Sequence, residues 1–242
     1  MEAIRTEKLT KIYKGTAVVD GLDLKVREGE VYSLLGLNGA GKTTTVKMLS
    51  CITAPSGGEA FVGGYNVRTE SRCVKRIIGV SPQESAVGSN LTVRENLELI
   101  CDIHGFSAEI RNEKIRELSF QLGLSDVLSK KAGKLSGGYK RRLSIAMALI
   151  SEPKILFLDE PTLGLDVVVR RELWKVIRAL RGRVTVILTT HYMEEAEELS
   201  DRVGIMSGGV LLAEGSADEL MELTQTERLE KAFIRIVGGE GI

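Results

Sequence analysis

The 242-residue sequence reads as an α/β domain with a mixed sheet, an antiparallel β layer beside it, and an inserted all-helical segment. Three observations carry this reading. Strand-like and helix-like segments alternate along most of the chain. The apolar run "EVYSLLGL" (30–37) enters a cluster of glycines and then a helical stretch. Residues 88–150 show helical patterns and no strand pattern.

Taken in order, "EAIRTEKLTKIY" and "VVDGLDLKV" alternate as half-buried strands do. "EVYSLLGL" is a buried strand, "GKTTTVKMLS" a helix, and "GGEAFVGGYNVRT" a hairpin. "IIGVSPQ" is a further buried strand, stopped by Pro82. Thr92 and Glu95 have the spacing of a capping box, which opens a helix through Leu99. Ser107 to Leu122 reads as a second helix closed by Gly123. "KILFLDE" returns to the sheet. "VVVRRELWKVIRALRG" sets Leu173, Trp174, Ile177 and Leu180 on one helical face, and "VTVILTT" is another core strand. "RVGIMSGGVLLAEG" reads as a hairpin, Ser216 with Glu219 caps a short helix, and a last helix is expected from Thr226 to near Val237. The boundaries that follow are one domain, 1–242. Within it, 1–87 and 151–215 form the core with its β layer, 88–150 the helical part, and 216–242 a helical tail.

Composition narrows the function classes. Apolar residues make up 43%, enough for a core, and 33 basic residues balance 33 acidic ones. A free-standing nucleic-acid binder usually carries a basic excess, so no nucleic-acid partner is expected. Three cysteines with no CxxC pair suggest free thiols in a reducing compartment. The first thirty residues show no signal-peptide pattern. No apolar run approaches the roughly 18 residues of a membrane span. Work at a membrane would need another chain.

"GLNGAGKT", Gly36 to Thr43, fits GxxxxGK[ST], a pattern expected by chance in roughly one chain per hundred of this length. Its setting between strand and helix makes it a P-loop. Glycines 36, 39 and 41 let the backbone curl so that its N–H groups, with those of Asn38, Ala40 and Thr44, face phosphates. The helix start adds partial positive charge. Lys42 would reach the β/γ-phosphates, and Thr43 would offer its hydroxyl to Mg²⁺. Asp159 closes the apolar strand "ILFLD", where Mg²⁺ is held in P-loop proteins, and Glu160 follows it. Glu160 either polarises the attacking water or caps "PTLGLD".

A second pair of glycines, in "KLSGGYKRR" (134–142), also opens a helical stretch, but no Lys-Thr or Lys-Ser pair completes a cradle. "GLNGAGKTT", "LSGG", "ILFLDEPT", "LGLD" and "TTH", in this order, resemble the nucleotide-binding subunit of ATP-binding-cassette (ABC) transporters. The resemblance implies a head-to-tail dimer, either a homodimer or a pairing with a similar subunit. In it Ser136, Gly137 and Gly138 of one chain close over the ATP held by the other. It implies that Gln83 contacts Mg²⁺ or the water, although the residue alone reads as a polar loop position. It implies that His191 meets the γ-phosphate, although a lone His after a strand can equally be a cap. Asp166 is expected at the dimer interface and also suits a helix N-cap. Tyr13 is expected to stack on adenine. The acidic run "MEEAEELSD" and the basic "KRR" are read as solvated faces. Leu37, Met147, Leu163 and Val167 depart from the residues common in the family, and none of them removes a phosphate or metal ligand.

The tail "TERLEKAFIRIVGG" resembles the drug- and polysaccharide-export branch, its apolar stripe suited to packing on its own domain. The expected function is an exporter ATPase using ATP and Mg²⁺. It would sit on the cytoplasmic face of the membrane through a separate integral-membrane permease. The alternative is a soluble ABC ATPase acting on ribosomes or DNA.

Overall fold

The structure is a computed structural model that describes residues 1–238. Its elements are β1 (Glu2–Tyr13), β2 (Thr16–Arg27), β3 (Val31–Leu35), α1 (Lys42–Leu49), β4 (Gly57–Val62), β5 (Tyr65–Asn66), α2 (Ser71–Ile77), β6 (Ile78–Ser81), α3 (Val93–Ile103), α4 (Ala108–Gln121), α5 (Gly137–Leu149), β7 (Ile155–Asp159), α6 (Val167–Arg178), β8 (Thr185–Thr190), α7 (Met193–Leu199), β9 (Arg202–Ser207), β10 (Val210–Gly215), α8 (Ala217–Leu223) and α9 (Leu229–Gly238). Two short 3₁₀ turns, Ser125–Val127 and Ala132–Lys134, precede α5.

Two sheets result. One is antiparallel, in the order β2-β1-β4-β5. The other is mixed, in the order β10-β9-β3-β8-β7-β6, and parallel except for the β9–β10 hairpin. The mixed sheet is covered on both faces, which is why its strands read as unbroken apolar runs. The pleat deals alternate side chains to different clusters. Leu156, Leu158, Val186 and Leu188 face the helical side, with Leu97, Ile115, Leu143 and Trp174. Ile155, Phe157, Ile187 and Leu34 face Val46 and Leu49 of α1 and Leu22 and Leu24 of the antiparallel sheet.

Local signals hold where a side chain caps or a pattern repeats. The Thr92/Glu95 and Ser216/Glu219 capping boxes both form. Helix α3 runs four residues past Leu99, to Ile103. Helix α9 begins at Leu229 rather than Thr226, because Thr226 N–H bonds back to the Met221 carbonyl in the turn that follows α8. Its residues Leu229, Phe233 and Ile236 pack with Leu35, Val203 and Ile205, so this helix covers its own domain; residues 239–242 of the expected tail lie outside the described residues. Helix α2 was not anticipated. It has seven residues, no side-chain cap and one buried position, Val74, too little for periodicity to register.

Candidate nucleotide and hydrolysis site

The expected phosphate, metal and hydrolytic residues gather at the C-terminal edge of four adjacent parallel strands. The loop 36–41 follows β3, His191 follows β8, Asp159 ends β7, and Gln83 lies just past β6. Register sets them level: Leu35 pairs with Thr190, and Asp159 with Thr189. Ligands bind at this edge in open α/β sheets, because loops and helix starts converge there.

Gly41 is the N-cap of α1 with φ 102°, and a Cβ there would stand 2.7 Å from the Val18 carbonyl. Only glycine suits both the dihedral and the approach. Lys42 is buried and turns back over the loop. Its ammonium donates to the carbonyls of Gly36 (2.7 Å) and Leu37 (3.2 Å) and stands 3.5 Å from Glu160 Oε1. The second oxygen, Glu160 Oε2, lies 2.8 Å from His191 Nδ1. The carboxylate accepts, so Nδ1 carries the proton and Nε2 is left for another partner. Asp159 Oδ1 accepts from Thr43 Oγ1 (2.9 Å) and Thr189 Oγ1 (2.5 Å). Lys42, Thr43, Asp159, Glu160 and His191 thus form one neighbourhood. Tyr13 is partly exposed, with the Lys11 ammonium 5.0 Å from its ring centroid. Asn38, Gly39 and Gln83 are exposed, Ala40 is buried, and Thr44 is intermediate.

Ser136, Gly137 and Gly138 stand apart. They open α5, and among the described residues no hydrogen bond ties them to the loop 36–44. The Ser136 hydroxyl does not cap its own helix. Asp166 does cap α6, accepting from Val169 N–H at 3.0 Å.

Glu160 has φ 50°, in the left-handed region, at 6% exposure. For a residue with a side chain this costs about 1–2 kcal/mol, and such strain persists only where neighbours over-determine it. Here they do. Glu160 N–H donates to the Thr189 carbonyl (3.1 Å) and hydroxyl (3.0 Å), and its carbonyl accepts from Leu163 N–H (3.2 Å).

Two solvated-face readings fail at one residue each, while Glu194, Glu197 and Glu198 are exposed as expected. Glu195, inside the acidic run, is fully buried, and its Oε1 accepts from Thr162 Oγ1 (2.7 Å) and Trp174 Nε1 (3.1 Å). Burial holds its carboxyl above the ordinary range, against the hydrogen bonds it accepts. Arg141, inside "KRR", is 5% exposed and donates to backbone carbonyls on two loops. Burial draws its pKa down, opposed by the charges of Asp159, Glu195 and Glu160. Thr189 was also missed. The paired threonines before His191 were the available signal, but nothing in the sequence placed them opposite Asp159.

The chain matches the family model described as ABC transporter over residues 19–163. It is 44% identical over 219 residues to the daunorubicin/doxorubicin resistance ATP-binding protein of Streptomyces peucetius, covering 90% of this chain and 66% of that one. It is 43% identical over 206 residues to the Nod factor export ATP-binding protein I of Burkholderia lata, covering 85% and 68%. The chain thus spans about two thirds of these relatives. A solved dimeric ATP-binding cassette, in a post-hydrolysis state with ADP and Pi, superposes with a TM-score of 0.80 at 26% identity, covering 88% of this chain and 98% of that one.

Proposed function

This chain belongs to the ABC transporter family, and from that premise we propose that it is the ATP-binding and ATP-hydrolysing subunit of an exporter. The observation that carries the chemistry is the joint placement of Lys42, Thr43, Asp159, Glu160 and His191 on one sheet edge. Lys42 has three donors, and a triphosphate offers them stronger acceptors than the loop carbonyls it now holds. Moving toward the phosphates takes its charge away from Glu160 and leaves that carboxylate to draw a proton from water. His191, its Nδ1 proton on Glu160, keeps the base oriented and presents Nε2 toward the phosphate side.

Thr43 and Asp159 fit Mg²⁺. One hydroxyl and one buried carboxylate are few ligands, and Mg²⁺ commonly keeps waters and takes phosphate oxygens for the rest. Gln83 would complete the set. When bound, the ion supplies charge neutralisation on the phosphate oxygens. The loop from Gly36 to Thr44 holds the phosphates, and Tyr13 stacks on the base.

Two copies act together. Ser136, Gly137 and Gly138 close over the nucleotide of the opposite copy, with the Ser136 hydroxyl, which does not cap its own helix, and the helix start as donors. Asp166 lies at the seam. Leu37, Leu163 and Val167 are exposed apolar residues on the segments that carry the site, as a contact surface requires. The dimeric ADP- and phosphate-bound relative supports this arrangement.

The second partner is an integral-membrane permease on a separate chain, which holds this subunit at the cytoplasmic face. Among the described residues no helix is long and apolar enough to cross a membrane. A groove of about 270 Å³ beside the Gln83 loop, lined by Pro82, Ala86, Ile100, His104 and Met147, offers a docking surface. The direction of transport rests on the exporting relative and on the resemblance carried by the tail sequence "TERLEKAFIRIVGG". Cargo contacts belong to the permease.

Phosphate release by purified protein tests the reading. Glu160→Gln should keep ATP binding and lower turnover on the order of 10²–10⁴-fold, with an ATP-dependent dimer accumulating on a sizing column. A variant turning over at the native rate removes Glu160 as the base.

A further inference from the structure

Four backbone carbonyls converge on the guanidinium of Arg141. Nη2 donates to Asp159 O at 2.5 Å, and Nε to Pro161 O at 2.8 Å. These two carbonyls stand on either side of Glu160. Nη1 donates to Pro82 O at 2.5 Å and, more loosely, to Gln83 O at 3.3 Å. The donor rides on α5, five residues after Ser136. Among the described residues no carboxylate pairs with it directly, and it is almost wholly buried. A buried charge is costly unless its hydrogen bonds are made, and here the partners are all main chain. A planar fork can grip several carbonyls at once, while an ammonium is a point donor.

The consequence falls on Glu160, whose φ of 50° has to be held from outside. Pinning the carbonyl before it and the carbonyl after it fixes the turn from both sides, and with it the direction of the carboxylate. The same guanidinium holds the start of the Gln83 loop. Three segments distant in sequence meet on one side chain: the helix begun by Ser136, the turn at Glu160, and the loop at Gln83.

We propose that Arg141 is a positioning residue of the hydrolytic centre, through which helix α5 holds Glu160 in its strained turn and moves the Gln83 loop with it. A phosphate engaged at the start of α5 would then set the base and the loop together. This inference rests on the ATPase reading above.

Arg141→Gln and Arg141→Lys separate positioning from mere packing. Turnover should fall on the order of ten- to hundredfold in Arg141→Gln, with KM for ATP little changed. Arg141→Lys should recover part of the loss, since it keeps charge and donors but not the fork. In the Arg141→Gln background, Ser136→Ala should cost less than it does alone, because the link it acts through is already cut. Additive losses, native turnover in folded variants, or kcat falling while KM rises with no recovery in the lysine variant would overturn the proposal. Should Arg141→Gln fail to fold, Arg141→Lys decides, and its failure to fold would assign Arg141 to structure alone. Wild type and Glu160→Gln are assayed in parallel. A silent wild type would indict the ATPase reading rather than this one, whereas native turnover in Glu160→Gln would remove Glu160 as the base and this proposal with it.

Discussion

Thr189→Val isolates one hydroxyl at the centre of the site while keeping the shape of the side chain. Thr189 is fully buried, donates to Asp159 Oδ1 at 2.5 Å and accepts from Glu160 N–H at 3.0 Å. Neither partner is orphaned by the change. Asp159 Oδ1 keeps the Thr43 hydroxyl at 2.9 Å, and Glu160 N–H keeps the Thr189 carbonyl at 3.1 Å. The loss is chiefly one hydrogen bond to a charged group, about 1.5–3 kcal/mol. The added buried methyl offsets about 0.8 kcal/mol, which leaves a net loss of roughly 1–2 kcal/mol. At about 2–4 °C per kcal/mol for a domain of this size, Tm should fall by roughly 2–8 °C. Thermal melts followed by far-UV circular dichroism measure this, with Thr189→Ser as the variant that retains the hydroxyl. Phosphate release should drop in parallel, because Asp159 is then held from one side. A valine variant that melts and turns over like wild type would show that this hydroxyl does not organise the carboxylate.

Three further changes probe other parts of the structure. Glu195 holds its proton to higher pH when folded than when unfolded, so its contribution to stability is full at low pH and is lost as pH rises through the folded value. Glu195→Gln should therefore flatten the fall of the urea midpoint with rising pH, and identical slopes in the two proteins would count against the burial argument. A Cβ on Gly79 would collide with the Ala148 carbonyl and come within 3.0 Å of Pro153 Cγ, so Gly79→Ala should lower stability by about 1–3 kcal/mol in urea titration; an unchanged midpoint would mean that β6 and α5 are less closely packed. Ser136→Ala should slow turnover yet leave the ATP affinity of dilute protein unaltered in a binding titration, whereas a large loss of affinity there would place Ser136 on its own copy's nucleotide.

The two capping boxes, the glycine cradle and the apolar strands were legible because each is a local pattern. Thr92 reaches Glu95 within one turn, and Lys42 reaches the carbonyls of the loop that precedes it. Strand identity followed from runs such as "ILFLD" and "TVILTT", whose residues are buried on both sheet faces. Helix α2 escaped for want of length. Charge misled more seriously, since Arg141 and Glu195 lie in runs that look hydrated.

Sequence order was enough to settle the alternating architecture, the phosphate loop and the pair of acids that ends a strand, since these depend on neighbours a few residues away. It could not show that Arg141 meets Pro82 and Pro161, 59 and 20 residues distant, or that Glu195 meets Trp174, 21 residues back. Whether a charge is solvated depends on what the folded chain brings opposite it. That juxtaposition, made by packing α5, α6 and α7 beside one sheet edge and by the register of β7 on β8, turns three unremarkable polar residues, Arg141, Thr189 and Glu195, into the frame around Asp159 and Glu160.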